Sequence, residues 1–196
     1  GSEAAGVIEA VGRGVTDLKV GQRVVYIGAV GTYSEAQNVP AAICVPIPRD
    51  ITDEVAAATH LKGMTTEMLV ERVGNVKKGD VVLMHSASGG VGLLLCQWAK
   101  ARGATVIGTA SSALKCKEIT RAGAKHAIDT SKKDVAKEVA KITKGQGVDV
   151  VFDPVGKDTY ETSLACLKDR GLLASFGGAS GPVPDVNLNE FRYMAR

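Results

Sequence analysis

One junction, residues 81–100, constrains the fold more than any other stretch, because an apolar run there meets a glycine-rich turn. The apolar run VVLMH predicts a buried strand. After the turn, Val91, Leu94, Leu95 and Trp98 follow the i, i+3, i+4, i+7 spacing of one helix face. A strand therefore passes through a glycine turn directly into an amphipathic helix, as in a βαβ unit.

Strands and helices alternate regularly from this junction onward. We predict strands over residues 81–85, 105–110, 126–129, 149–152 and 171–177, and helices over residues 90–102, 113–122, 134–143 and 157–168. Elements of this length in this order imply right-handed crossovers and a parallel sheet with helices on both faces. The prediction is therefore a doubly wound α/β fold with five visible strands.

The first fifty residues predict a different kind of structure. The runs AGVIEAV, RVVYI and TYSEAQNV are separated by glycines, which is the pattern of a small antiparallel β unit. These strands are too few for a stable β domain. Thr52 is placed to cap an alanine-rich helix, and a second helical stretch over about 62–73 is expected to end at Gly74. We divide the chain into residues 1–50 and 51–196.

Charge and cysteine content narrow the class of protein. The net charge of +3 is spread along the chain, and the lysines between 132 and 144 have the spacing of a solvated helix face, which argues against nucleic-acid binding. The four cysteines form no Cys-x-x-Cys pair, so we expect a reducing compartment, the cytoplasm. No apolar run is long enough to span a membrane.

The glycine turn has the residues of a nucleotide-binding turn. Ala87, Gly89 and Gly92 stand where such a turn has Gly-x-Gly-x-x-Gly. A helix N-terminus attracts anions, and phosphate reaches its N–H groups when no side chain intervenes. Position in a βαβ series favours dinucleotide binding; the alternative is a merely tight turn.

The second strand of the series decides which dinucleotide is expected. NAD sites place an acidic residue after this strand to bind the ribose 2′-hydroxyl. Here Ser111 and Ser112 follow the strand, the first acid is Glu118, and Lys115 lies nearby. Two hydroxyls and a lysine suit a 2′-phosphate, so we predict NADPH. The alternative is that Ser112 is only a helix cap and Lys115 only a solvated side chain.

The chain resembles a known family over essentially its whole length. Four stretches carry the resemblance: GSEAAGVIEAVGRGVTDLKVGQRV, HLKGMTTEML, HSASGGVGLLLCQWAKARGATVIGTASS and DPVGKDTYETSLACLKDRGLLASFGGASGPVP. They are similar to the quinone oxidoreductases of the medium-chain dehydrogenase/reductase superfamily. The resemblance is to the zinc-free, NADPH-dependent branch that includes zeta-crystallin. It implies a GroES-like substrate domain followed by a Rossmann domain.

By this resemblance, residues 1–50 are the end of the GroES-like domain and residues 51–196 a Rossmann domain whose last strand is missing. Relatives commonly dimerise through that sixth strand, so we expect a homodimer for the full-length protein. For these 196 residues alone we expect a monomeric or irregularly associated protein with little activity.

The resemblance also tests for zinc. Zinc-containing relatives have a histidine where Ser2 stands and a cysteine where this chain reads HLKGMT. They also have a four-cysteine lobe in the region of residues 23–33, which contain no cysteine here. We therefore expect no zinc, since a catalytic site needs three fixed ligands. His60, His85 and His126 are interpreted as structural or surface residues.

Cofactor-binding residues follow from the resemblance position by position. They are Lys62, Gly63 and Thr65 for the cleft segment, which in the family faces the nicotinamide and its phosphates, Gly89, Gly90 and Val91 for the pyrophosphate, Ser111, Ser112 and Lys115 for the 2′-phosphate, Val155 for the adenosine side, and Phe176, Gly177, Gly178 and Ala179 for the nicotinamide. Phe176 has an alternative interpretation as a core aromatic at a strand end. At three positions the chain departs from the residues that are common in the family: Thr130, Pro154 and Met68. These differences put the contacts to the adenosine part of the cofactor in question.

The implied reaction is hydride transfer from NADPH to a quinone or similar conjugated carbonyl. The cofactor supplies that chemistry, and no residue is assigned as catalytic. Two alternatives remain open: a non-catalytic NADPH-binding protein, crystallin-like or RNA-associated, and a zinc-free enone or enoyl reductase.

Overall fold

The structure is a computed structural model that describes residues 1–183 and 185–186. Its contacts divide the chain into two compact units, Gly1–Met64 and Thr65–Arg196. No helix in the described part of the chain is long and apolar enough to cross a bilayer.

The first unit contains a three-stranded antiparallel sheet in the order β1-β2-β3. Its strands are β1 Glu3–Val7, β2 Arg23–Ile27 and β3 Val45–Pro46, preceded by a short 3-10 turn at Ala41–Ile43. Val25, Ile47 and Ala56 form a small buried cluster in this unit. The predicted antiparallel β unit is therefore confirmed.

The prediction of a strand in TYSEAQNV is wrong. Residues 32–39 are irregular, and the Tyr33 side chain is 95% exposed. The Gln37 side chain holds this segment as a loop: its amide N–H donates to the Val30 carbonyl at 2.7 Å, and its carbonyl accepts from the Tyr26 hydroxyl at 2.9 Å. These side-chain bonds take the place of a strand ladder.

A single helical run connects the two sheets along the chain. Helix α1 spans Asp53–Glu67, and the Val55 N–H donates to the Thr52 hydroxyl at 3.3 Å, which confirms the predicted cap. The run then continues as a π-helix, Met68–Val73, and ends at Gly74 as predicted. The prediction of two separate helices is wrong, because no proline interrupts residues 53–73 and the helical hydrogen bonding can continue from one stretch into the next.

The second unit is a five-stranded parallel sheet in the order β6-β5-β4-β7-β8. The strands are β4 Val81–Met84, β5 Thr105–Ala110, β6 His126–Asp129, β7 Val148–Asp153 and β8 Leu167–Ser175. The helices are α2 Gly90–Ala101, α3 Ala113–Ala122, α4 Val135–Thr143 and α5 Tyr160–Cys166. The predicted doubly wound α/β fold is confirmed.

Most predicted bounds of these elements agree with the structure to within one residue. The last two elements do not. Helix α5 has seven residues in place of the predicted 157–168, and β8 begins at Leu167, directly after it. Gly156, with φ of +88°, turns the chain before α5, and Arg170, with φ of +63°, accompanies a register shift between β7 and β8.

The sheet is buried on both faces, as a parallel sheet requires. Val82 and Met84 lie in a core cluster with residues of α2 and α3, including Leu95 and Ile119. Leu83, between Val82 and Met84 in sequence, belongs to a second cluster with residues of α4 and α5. Successive side chains of a strand point to opposite faces, so α2 and α3 cover one face and α4 and α5 the other.

Candidate cofactor site

The carboxyl ends of the five parallel strands meet at one edge of the second unit. The chain passes from β4 to β5 and β6 on one side, then returns to β7 and β8 on the other side. The point where this order reverses lies between β4 and β7, and open parallel sheets bind ligands at such a point. The turn after β4 and the loop after β7 therefore flank the expected ligand position.

The turn after β4 is fixed by hydrogen bonds to its neighbouring strands. The N–H groups of Ser86 and Ala87 donate to the hydroxyl and the carbonyl of Thr109, at 3.2 and 2.9 Å. Ser86 has φ of +51°, in the left-handed region that residues other than glycine seldom adopt. The main chain therefore turns sharply at this residue. These contacts aim the chain from the sheet into α2.

Helix α2 begins with its amide groups uncapped. Gly89 is the N-cap residue, and among the described residues no side chain caps it. Gly89 and Gly90 are exposed, and Val91 is partly buried. The first N–H groups of a helix have no acceptor within the helix and carry partial positive charge. They are suited to hold a pyrophosphate, and the predicted pyrophosphate residues lie together here.

Gly92 shows why the turn needs glycine on its buried side. A Cβ atom placed on Gly92 would lie 2.5 Å from the Ala87 carbonyl oxygen. Gly92 is buried, and helix α2 therefore passes the turn at a distance that only glycine permits. This is the close helix–strand packing expected of the third glycine of a dinucleotide turn.

The three residues predicted for the 2′-phosphate also lie together, at the start of α3. Ser112 caps α3, with its hydroxyl accepting from the Lys115 N–H at 3.4 Å. The Lys115 ammonium lies 3.4 Å from the Ser111 hydroxyl. The cap interpretation of Ser112 is therefore confirmed, while an added phosphate contact remains a prediction.

The residues predicted near the nicotinamide follow β8. Phe176 is partly buried and packs against the main core cluster of the second unit. Gly177, Gly178 and Ala179 are exposed in the loop that follows. Its packing agrees with the alternative interpretation of Phe176 as a core aromatic at a strand end. A contact with the nicotinamide remains a prediction.

The predicted cleft segment lies on α1. In the first unit, the Lys62 ammonium forms a 2.5 Å ion pair with Glu3 Oε1 on β1. Gly63 follows it on the helix, and a Cβ atom on Gly63 would meet nothing within 4 Å. Thr65 belongs to the second unit and is partly buried. The sequence did not indicate Glu3 as a partner of Lys62, because the two are fifty-nine residues apart.

Among the three departures from the family pattern, the side chain of Thr130 makes a hydrogen bond specific to its residue type, and nothing in the structure explains the proline at 154. The Thr130 N–H and hydroxyl both donate to the Ala110 carbonyl, at 2.9 and 3.3 Å, so this side chain joins β5 to the loop after β6. The Pro154 carbonyl accepts from the Ala179 N–H at 3.2 Å. Met68 is 42% exposed at the start of the π-helix.

A buried polar cluster beneath the turn was missed by the sequence interpretation. His85 is 2% exposed, its Nδ1 lies 3.5 Å from the Thr109 hydroxyl, and its Nε2 has no partner among the described residues. Burial lowers the pKa of His85, and the Asp153 carboxylate opposes that effect. His85 is therefore a neutral core residue, in agreement with its interpretation as a structural residue. The sequence did not indicate the cluster, because its members lie on or directly after different strands of the sheet.

Residues 1–183 and 185–186 contain no group of three or more His, Cys, Asp or Glu side chains that could hold a metal ion. The four cysteines are free thiols, and burial raises the pKa of Cys96 to about 12 and that of Cys166 to about 11. Neither thiol is poised to act as a thiolate at neutral pH.

The small antiparallel sheet and the five-stranded parallel sheet that follows it in sequence have the architectures expected of a GroES-like segment and a Rossmann-type domain. Residues 90–196 match the family model described as zinc-binding dehydrogenase, and residues 1–49 match the alcohol dehydrogenase GroES-like domain. The chain therefore belongs to the zinc-binding dehydrogenase family, whose model matches more than half of its residues. The resemblance seen in the sequence is thereby confirmed.

Three relatives illustrate the similarity. A quinone oxidoreductase of Pseudomonas aeruginosa is 50% identical over 189 residues, 96% of this chain and 58% of that protein. A 2-haloacrylate reductase of a Burkholderia species is 45% identical over 193 residues, 97% of this chain and 58% of that protein. The crystal structure of the Escherichia coli quinone oxidoreductase complexed with NADPH superposes with a TM-score of 0.94 at 45% identity, covering 98% of this chain and 59% of that one. The chain thus spans about three-fifths of the relatives it matches.

Proposed function

We propose that the protein transfers a hydride from NADPH to a quinone or a similar conjugated carbonyl, without zinc. The observation that carries the proposal is the uncapped N-terminus of α2 at the strand-order reversal of a parallel sheet. Two relatives support it: the solved Escherichia coli quinone oxidoreductase is complexed with NADPH, and the Pseudomonas aeruginosa relative is a quinone oxidoreductase.

The residues present fit NADPH. The bare backbone of Gly89 and Gly90, with Val91, would hold the pyrophosphate through main-chain N–H groups. Ser111, Ser112 and Lys115 offer two hydroxyls and a cation where an NAD site offers a carboxylate. This arrangement favours the phosphorylated cofactor.

When bound, NADPH supplies the hydride; the protein supplies position and exclusion of water. The first N–H groups of α2 would hold the pyrophosphate, and Ser111, Ser112 and Lys115 at the start of α3 would hold the 2′-phosphate. Phe176, Gly177, Gly178 and Ala179 lie beyond the end of β8, where the nicotinamide is expected, and Val155 follows β7 on the adenosine side. Lys62, Gly63 and Thr65 complete the proposed set, and no side chain is assigned a catalytic role.

The donor set supports the zinc-independent form of the proposal. Among the described residues no metal-ligand group exists, and the three histidines, His60, His85 and His126, lie singly on different elements. The cytoplasm is the proposed location, supported by four free thiols. A homodimer of the full-length protein belongs to the same proposal.

The experiment that tests the proposal has two stages. Titration with NADPH and with NADH, followed by nicotinamide fluorescence, should show binding of both and tighter binding of NADPH. No binding of either would contradict the proposal at its first step, since the pyrophosphate site lies wholly within the second unit.

Steady-state NADPH oxidation then separates the substrates. Faster turnover with 1,2-naphthoquinone than with an enone supports the quinone assignment. The reverse order favours the second candidate, an enone reductase, which the 45% identity to a 2-haloacrylate reductase supports. Retained NADPH binding without turnover of either would indicate a non-catalytic NADPH-binding protein.

A further inference from the structure

A buried carboxylate organises the loops on one side of the proposed site. Asp153 ends β7 and is 2% exposed. Its Oδ1 accepts from the main-chain N–H groups of Val155 and Gly156, at 2.8 and 3.2 Å. The hydroxyl of Thr159 donates to the same carboxylate at 2.8 Å, and that of Ser163 donates to Oδ2 at 2.7 Å.

These hydrogen bonds keep the carboxylate charged. Burial alone would raise the pKa of Asp153, but the donors from Ser163, Val155, Thr159 and Gly156 outweigh it and hold the pKa below its ordinary value. A buried charge is costly unless it is fully hydrogen-bonded. Asp153 therefore stays in place only while the chain after β7 keeps this shape.

The chain after β7 is bonded in turn to the chain after β8. We name residues 154–159 the β7 loop and residues 176–181 the β8 loop. The loop-to-loop donors and acceptors are Ala179 N–H to Pro154 carbonyl at 3.2 Å, Ser180 N–H and hydroxyl to Val155 carbonyl at 2.9 Å each, Lys157 N–H to Gly181 carbonyl at 3.2 Å, and Asp158 N–H to Ser180 hydroxyl at 3.0 Å. The Phe176 N–H also donates to the Asp153 carbonyl at 3.0 Å.

The two loops are also packed so closely that no side chain fits between them at two glycines. A Cβ atom on Gly156 would lie 2.7 Å from the Gly181 carbonyl oxygen, and one on Gly177 would lie 2.6 Å from the Pro154 carbonyl oxygen. The hydrogen bonds between the loops oppose their separation, and the close packing opposes their approach. A change in the β7 loop, which Asp153 holds, is therefore expected to reach the β8 loop.

We propose that Asp153 is a positioning residue for the cofactor: its carboxylate sets the β7 loop and, through it, the β8 loop that is expected to bracket the nicotinamide. The inference rests on the proposed NADPH function, because Val155 and residues 176–179 are assigned to the cofactor there. Asp153 itself is buried beneath the loops and acts only through them.

Three variants separate positioning from simple stability. Asp153→Ala removes every acceptor of the cluster. Asp153→Asn keeps one carbonyl oxygen for the Val155 and Gly156 N–H groups. Ser163→Ala removes one of the two hydroxyl donors to Oδ2, the one on α5. It serves as the matched control, because it takes a buried hydrogen bond from the same carboxylate without removing a side chain of either loop.

Hydrogen–deuterium exchange of the cofactor-free protein is the first measurement. Asp153→Ala should accelerate exchange of the amides of both the β7 and β8 loops by about tenfold, the effect of losing ~1.4 kcal/mol of local stability. Asp153→Asn should leave the Val155 and Gly156 amides protected. Ser163→Ala should lower the unfolding temperature while loop exchange stays as in the wild type.

NADPH titration is the second measurement. Asp153→Ala should weaken binding about tenfold, with Asp153→Asn and Ser163→Ala within about twofold of the wild type. If Asp153→Ala does not fold, Ser180→Ala cuts the two hydroxyl bonds between the loops and should raise exchange in both and weaken NADPH by a smaller factor.

The outcomes distinguish the two proposals. Exchange confined to the β7 loop in Asp153→Ala, or equal loss of NADPH affinity in Ser163→Ala at equal loss of stability, would overturn the positioning role. A wild-type protein that binds no NADPH would instead overturn the proposed function, while the exchange comparison would still decide whether Asp153 couples the loops.

Discussion

Gly92 lies so close to Ala87 that a single methyl group cannot be added between them: a Cβ atom would stand 2.5 Å from the carbonyl oxygen and 2.6 Å from the Cα of Ala87. This contact seats the first turn of α2 on the end of β4. It therefore sets both the packing of the sheet and the position of the N–H groups expected to hold the pyrophosphate.

We predict that Gly92→Ala destabilises the protein by about 1–3 kcal/mol, the usual cost of overpacking a core, and weakens NADPH binding by at least tenfold. The helix must move outward, and its first amide groups move with it. Chemical denaturation and nicotinamide fluorescence measure the two effects.

Gly12→Ala is the control for that experiment, since a Cβ atom on Gly12 meets nothing within 4 Å. It should leave both stability and binding nearly unchanged. A Gly92→Ala protein that binds NADPH as tightly as the wild type would show that the close packing is unrelated to the cofactor site.

Lys115→Glu should reduce the preference for NADPH over NADH by about tenfold or more, because it removes one charge-assisted hydrogen bond and places a carboxylate that repels the 2′-phosphate. The lysine ammonium lies beside Ser111, at the expected 2′-phosphate position. Parallel titrations with the two cofactors give the ratio. Lys117→Glu makes the same change of charge two residues further along α3, and the ratio should remain near the wild-type value; an unchanged ratio in Lys115→Glu would remove Lys115 from the site.

His85 should make stability depend on pH on the acidic side of neutrality. Its pKa in the folded protein is lowered from 6.5 by burial. As the pH falls below about 6.5, the unfolded chain takes up a proton on this imidazole that the folded protein does not. Stability is therefore lost on acidification, by at most about 1.4 kcal/mol per pH unit, until the folded pKa is passed.

Denaturant unfolding of wild type and His85→Gln between pH 5 and pH 8, as a rough bracket of the ordinary His pKa, tests this. The variant should show a flatter profile over that range, whatever its absolute stability. His60→Gln, on the partly exposed helix α1, provides a comparison that removes a histidine outside the buried cluster. Identical slopes in wild type and His85→Gln would contradict the assignment.

The single tryptophan should report on the contact between α2 and the π-helix. The Trp98 indole N–H donates to Glu71 Oε1 at 2.8 Å, and Arg102 lies 3.4 Å from Glu71 Oε2. Glu71→Ala should lower stability by about 1 kcal/mol, the usual value of a hydrogen bond, and shift the emission of Trp98. Glu67→Ala, whose ion pair with Arg72 is exposed, should alter neither appreciably.

The alternation of strands and helices was predictable because it is written in local sequence. The strand over 105–110, the helix over 113–122 and the strand over 126–129 have the predicted bounds. Each has apolar periodicity and a clear end signal, such as Ser112 before α3 and Gly123 after it. The glycine turn was recognisable for the same reason, since the residues that shape it are adjacent along the chain.

What the sequence determined by itself was therefore the order of the elements, the glycine turn and the hydroxyl-and-lysine composition after β5. The tertiary structure alone decided that α5 is short, that His85 is a buried neutral base and that Asp153 joins the loops after β7 and β8. Those features arise from contacts between residues far apart in the chain, such as Ser180 with Val155 and Gly156 with Gly181. Local propensity carries no information about such contacts, because they exist only once the strands lie side by side in the order that the fold imposes.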